Sequence, residues 1–302
     1  MPHTTYDVLF NAAPVYNVRS MSYGDSAQVI VDRASGLPDP KKFYLGNMEP
    51  IVTLQTTDIA SVIGLNSGTF VSAGLCVNSA STTIPLAKRA DCGTLTSGGS
   101  HTSLVGNSVI AIPTQFEVRQ DSEDGATASL EVRFRSSDGI TSPITVSNTA
   151  TLASSVHAVS YSLGAAYIDG TEVGFLTGLV INPGISLLIQ RSGGALFPVA
   201  HYIQFRDPTI DIMCENAAVA SDFMKIYDNG ETDKNIAVNV FFRKRKDGST
   251  YVAAATAEHI KFSFAAGMSR MEALEAAQSG NGSATIRCYG KALVATDSVA
   301  IA

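Results

Sequence analysis

The sequence predicts a mainly β protein with a few helices, built from two similar halves. Three observations carry that expectation. Apolar and polar residues alternate over short runs such as "TIDIM" (Thr209–Met213), the period of a half-buried strand. Gly, Pro, Asp and Asn punctuate the runs at close intervals, which favours antiparallel sandwiches or barrels. One long segment also occurs twice.

The segment "RASGLPDPKKFYLGNMEP" (Arg33–Pro50) is answered by "RSGGALFPVAHYIQFRDP" (Arg191–Pro208). Arg33, Gly36, Pro40, Tyr44, Pro50 and Ala60 match Arg191, Gly194, Pro198, Tyr202, Pro208 and Ala218, each 158 residues later, with no gap. Chance matches of Gly and Pro are easy, but a common offset through two strand-like runs is not. Upstream, Gly24 answers Gly184 with a slip of two residues.

Each element of the unit has a local cause. An apolar run, "QVIV" (Gln28–Val31) or "SLLI" (Ser186–Ile189), enters a turn made by Gly and Pro. A second run leaves it, "KKFYLG" in one copy and "AHYIQF" in the other. Glu49-Pro50 and Asp207-Pro208 break that run, because proline lacks the ladder donor and marks a strand start or edge. The strands "IVTL" and "TIDI" come next. A helix is expected over "TTDIASVIGL" (Thr56–Leu65) and over "ENAAVASDFMKIYD" (Glu215–Asp228), the second with Asn216 as N-cap and Gly230 at its close. Farther on, "LEVRFRSSDGITSPITV" (Leu130–Val146) and "NIAVNVFFRKRKDGSTYVAAATA" (Asn235–Ala257) share a strand–turn–strand shape. A helix is expected over "GMSRMEALEAAQSG" (Gly267–Gly280), opened by a Ser269/Glu272 capping box and ended by Gly280. The strand "SATIRCYGKALVA" follows and resembles "ATASLEVRF" (Ala126–Phe134). The join is expected near "SNTATLASS" (Ser147–Ser155), giving domains 1–150 and 151–302.

Composition bounds the partners. Only 16% of the 302 residues are charged, against roughly 25% in average soluble proteins. Charge depletion suits large protein–protein contacts. The formal net charge of −6 excludes a protein that grips phosphate through a basic face. The one basic run is Arg243, Lys244, Arg245 and Lys246, followed by an Asp-Gly turn signal. No apolar run approaches the roughly 20 residues of a membrane span, and no basic-then-apolar leader opens the chain. The widely spaced Cys76, Cys92, Cys214 and Cys288 lack zinc spacing and read as reduced thiols.

The sequence names no active site. The five histidines sit at no metal-ligand spacing, and His201 falls opposite Phe43 in the repeat, a packing or surface position. No GxSxG elbow, Walker loop or GxGxxG appears. "SGGSHTSLVG" (Ser97–Gly106) reads as a mobile loop rather than a nucleophile–base pair. Asp121, Glu123 and Asp124 lack the order of a calcium loop. No catalytic residue, metal or cofactor is expected.

A duplicated β unit without chemistry suggests a structural role, since a two-domain chain completes a sixfold ring with three copies. Each half resembles the tail-tube fold of tailed bacteriophages, a family that includes contractile-injection tubes, distal tail rings and baseplate hubs. The resemblance is carried at pattern level by "YIDGTEVGFLTGLVINPG" (Tyr167–Gly184), "SLLIQRSGGALFP", "TIDIM" and "RFRSSDGITSPI", and it covers most of both halves. It implies two tandem β-sandwich or barrel domains, each with about one flanking helix. It also implies trimers that imitate hexamers and stack into a tube. The partners implied are further copies of the chain, other tail proteins, and genomic DNA that slides through the lumen unbound. The place implied is the virion, after synthesis in the host cytoplasm, with no membrane and no small-molecule substrate. The long Ser67–Asn107 segment departs from a simple tube subunit and is expected to reach a neighbouring ring or decorate the outside. Arg243–Lys246 is expected at a contact between subunits. The alternatives are a baseplate hub, distal tail ring or capsid decoration protein. A carbohydrate-binding module or an enzyme stands behind these, and the lack of Trp counts against a sugar platform.

Overall fold

The structure, a computed structural model, describes residues 3–11, 13–27, 29–32, 39, 41–65, 77–88, 101–122, 125–152, 157–215, 236–246, 250–275 and 282–301. It is mainly β, sandwich-like, with large antiparallel sheets and one helix among these residues.

The first half contains β1 (His3–Thr5), β2 (Val8–Phe10), β3 (Ala13–Val15), β4 (Val18–Asp25), β5 (Val29–Asp32), β6 (Lys42–Leu45), β7 (Pro50–Thr56), α1 (Ile59–Gly64), β8 (Val77–Lys88), β9 (His101–Arg119), β10 (Thr127–Phe134) and β11 (Ile144–Ala150). The second contains β12 (Tyr161–Ile168), β13 (Thr171–Glu172), β14 (Leu176–Asn182), β15 (Ile185–Gln190), β16 (Ala200–Arg206), β17 (Thr209–Cys214), β18 (Ile236–Lys244), β19 (His259–Glu275), β20 (Ser283–Gly290) and β21 (Val294–Val299).

One pairing scheme runs through both halves. β4 pairs β7 with Met21 facing Leu54, and β14 pairs β17 with Leu179 facing Ile212, 158 residues on. The register shift after Val18 recurs after Leu176. β7 joins β10 as β17 joins β20, and β10 joins β9 as β20 joins β19. β9 pairs β8 and β11, and β19 pairs β18 and β21. The hairpins β5–β6 and β15–β16 match residue for residue: Ile30 faces Tyr44 as Leu188 faces Tyr202. Left-handed backbone recurs too, at Asn11 (φ 47°) and Asn17 (φ 51°), then at Asp169 (φ 51°) and Phe175 (φ 55°). An aromatic residue disfavours that region, so the geometry at Phe175 is imposed by the surrounding ladder.

Several local expectations hold. Pro50 opens β7 and Pro208 immediately precedes β17, where a missing N–H costs no ladder bond. α1 falls inside the first expected helix, and Asp58 caps it by accepting from the Ser61 amide at 3.1 Å. Strand alternation is cleanest in β10, where Ala128, Leu130, Val132 and Phe134 are buried and the residues between them are half-buried.

Other expectations are corrected. Gly267–Glu275, expected as a helix, is the second part of β19. Ala, Leu and Glu favour a helix locally, but the segment is paired along β20, Gly267 to Gly290 and Glu275 to Ser283, and the ladder overrides weak propensity. Ser269 is fully buried within the strand rather than capping a helix. His101–Gly106 is not a mobile loop but the start of β9, pinned between β8 and β11. Ser147–Ala150, expected to break structure at the join, belongs to β11. Gly24 corresponds by register to Asn182, not Gly184. Of the two downstream matches, the strand–turn–strand one is corrected, since β18 takes the pairings of β8; "SATIRCYG" takes those of "TASLEVRF", as expected. The helix expected at Glu215–Asp228 lies outside the described residues apart from Glu215. Of the Ser67–Asn107 segment, residues 77–88 and 101–107 are strand and the rest lies outside.

The main core is a cluster across both halves, with Phe10, Leu54, Leu130, Phe242 and Phe264 all buried in it. Phe116 of β9 meets Phe262 of β19 at 4.9 Å between ring centroids.

Candidate assembly interface

Among the described residues, one pairing has no counterpart in the other half. The C-terminal end of β9 adds to the outer edge of β14, with Phe116 facing Ile181, Glu117 facing Val180 and Val118 facing Leu179. This junction makes the two halves one continuous sheet.

The β15–β16 hairpin leans on the same place. Ile185, Leu187 and Ile203 pack against Ile110 and Ile112 of β9. Its turn is then tied down by backbone bonds. The Leu196 amide donates to Gly139 O at 2.8 Å, Ser136 N to Pro198 O at 2.8 Å and Met48 N to Leu196 O at 2.9 Å. Gly139 has φ 75°, and a Cβ there would stand 2.6 Å from that of Ala195, so the close approach requires glycine. Asp138 shapes the loop around it, accepting from Thr141 Oγ1 and Ser136 Oγ at 2.7 Å and from the Thr141 and Ile140 amides at 2.8 Å. These bonds, Thr141's first, hold its carboxyl far below the usual carboxylate range.

Charge is buried beside the loop. Arg191 donates to Met48 O at 3.0 Å and lies 3.7 Å from Glu49, which also pairs with Arg133. The recurrent Arg and the recurrent acid-Pro pair therefore meet across the junction. His201 sits there as well, 2% exposed, with no hydrogen-bond partner for either ring nitrogen among the described residues. Burial, together with Arg133, Arg135 and Arg191, lowers it to about 4.

The basic run lies elsewhere. Arg243 Nε donates to Val252 O at 3.0 Å, and its guanidinium stands 5.2 Å from the Tyr251 ring centroid. Lys244 pairs with Glu258, and Arg245 reaches Ser122 O at 3.4 Å. Only Lys246 of the four is exposed. Three of the four side chains thus bind their own chain, and Lys244, Arg245 and Lys246 line an open cleft of about 800 Å³ together with His157 and Tyr251. Asp247 and Gly248 lie outside the described residues.

Two histidines form a pair that the sequence reading passed over. Lys88 N donates to His101 Nδ1 at 3.1 Å, and Lys244 N donates to His259 Nδ1 at 3.1 Å. Both rings are buried and clamp the end of equivalent hairpins. Their spacing of 158 residues, the offset of Arg33 and Arg191, was the available signal. Cys214 and Cys288 are buried, and burial, with Asp211 nearby, pushes the Cys288 thiol up to about 12. Cys76 and Cys92 lie outside the described residues.

No protein-family model matches the chain, and no curated protein matches it significantly.

Proposed function

We propose that the chain is a tandem duplication and a structural ring-former: three copies build a pseudo-hexameric ring, and rings stack into the tail tube of a tailed phage. The observation that supports this most is the recurrence, among the described residues, of the strand-pairing scheme and of most of its register shifts, with the halves joined by a head-to-tail strand pairing. Two units joined head to tail expose the complementary surfaces at their free ends, and such contacts close into rings when the rotation permits. The virion assignment rests on the resemblance of each half to the tail-tube pattern, and a net charge of −6 suits a lumen through which DNA slides. A distal tail ring, baseplate hub or capsid decoration protein is the second reading, favoured if rings do not stack.

Electron microscopy of the purified protein, with mass from light scattering, tests the proposal. Rings of three chains, stacked into tubes with a central channel, are the expected result. A stable monomer at high concentration overturns it.

A further inference from the structure

We infer that the β9–β14 junction is made a second time, between chains: the C-terminal end of β19 of one chain adds to the free edge of β4 of the next. The inference rests on the ring reading above and names its contact. β19 stands to β20 as β9 stands to β10, and β4 stands to β7 as β14 stands to β17. Within the chain, Glu117 faces Val180 and Phe116 faces Ile181. The counterparts are Glu275 and Leu274 on β19, and Ser22 and Tyr23 on β4. Among the described residues no strand pairs with the corresponding edge of either segment. Open edges of this kind are templates for another strand.

Burial supplies an independent argument. Tyr23 is 50% exposed, whereas its counterpart Ile181 is 0% exposed. Phe43 is 66% exposed and His201 2%. Met268 on β19 is 38% exposed and Ile110 on β9 is 1%. Val29 and Leu45 are exposed where Leu187 and Ile203 pack on β9. The opposite hairpin face behaves differently: Ile30 and Tyr44 are exposed, and so are Leu188 and Tyr202. On the hairpin, the extra apolar exposure therefore falls on the face that the junction covers in the other half. An unrelated partner would have no reason to respect that division. The occupant is a second copy of this chain, with Met268 of one meeting Val29 and Leu45 of the next. Three such contacts alternate with three internal junctions and close the ring. The register follows: Ser22 faces Glu275, and Tyr23 faces Leu274.

The test is a cysteine pair across that register in the full chain, Ser22→Cys with Glu275→Cys, oxidised after assembly and run without reductant. Directly opposed residues lie within disulfide reach. A covalent trimer as the end product, absent from either single variant, is expected. Rings seen by microscopy with no such cross-link overturn this contact and leave the ring reading standing. A monomer without rings ends both, and a covalent ladder running past the trimer overturns closure. A second variant, Val29→Asp with Leu45→Asp, alters residues already exposed in the isolated chain. Its assembled fraction falls at least tenfold with an unchanged circular dichroism spectrum. Unimpaired assembly of that variant would also sink the contact.

Discussion

His201 and Phe43 hold the same register position in the two hairpins, and their environments are opposite. His201 is enclosed by the junction among arginines, so its charged form is disfavoured. An unfolded imidazole titrates near 6.5 and this one near 4, so the unfolded chain takes up the proton first as pH falls. Stability is untouched by this group above about pH 6.5 and drops as the pH moves from there toward 4. The drop is on the order of 3 kcal/mol. The variant His201→Phe, which copies the residue at position 43, removes that part of the acid sensitivity. Urea melts of both proteins at neutral pH and at about pH 4.5 check it: the wild type loses more stability between the two, and equal losses reject the argument. The His201–Phe43 correspondence was legible in the sequence. The burial of one and exposure of the other was not, because it depends on which strand end lies over the hairpin.

At the scale of elements, hairpin ends are held by side chains as well as ladders. His259 accepts from the Lys244 amide through Nδ1, and its Nε2 lies 3.0 Å from Ala253 O. A single neutral tautomer, protonated on Nε2, serves both. Replacing it by Phe keeps the bulk and removes the partners of the half-buried Lys244 amide and of the Ala253 carbonyl, costing about 1–2 kcal/mol. Denaturant unfolding of His259→Phe measures this, and a change under about 0.5 kcal/mol would show that the ring only fills space. β19 shows the limit of local reasoning. Ser269, Glu272 and the Ala-Leu-Glu run spell a helix start and interior, yet Met268 faces Tyr289 and Met271 faces Ile286 in an antiparallel ladder. Helix propensity contributes tenths of a kcal/mol per residue. A ladder that also buries Ser269 against β20 outweighs it.

At the scale of the molecule, the two halves share one core and one sheet. Phe116 packs on Phe262, and β9 continues into β14. No apolar boundary separates units that could melt apart, so calorimetry of the unassembled chain should give one transition with equal calorimetric and van't Hoff enthalpies. Two resolved transitions would mean that each half is stable without the junction.

The sequence by itself determined the β class, the proline-started strands, the helix after β7 and the offset that relates the two hairpins. Alternation, missing amide donors and side-chain caps act within a few residues and can be read locally. Only the tertiary structure decided that β19 is a strand, that β18 answers β8 rather than β10, and that Arg191 meets Glu49. Those outcomes depend on hydrogen bonds and burial between segments far apart in the chain. Local preference is too weak to choose among such pairings until the partner strands are in place.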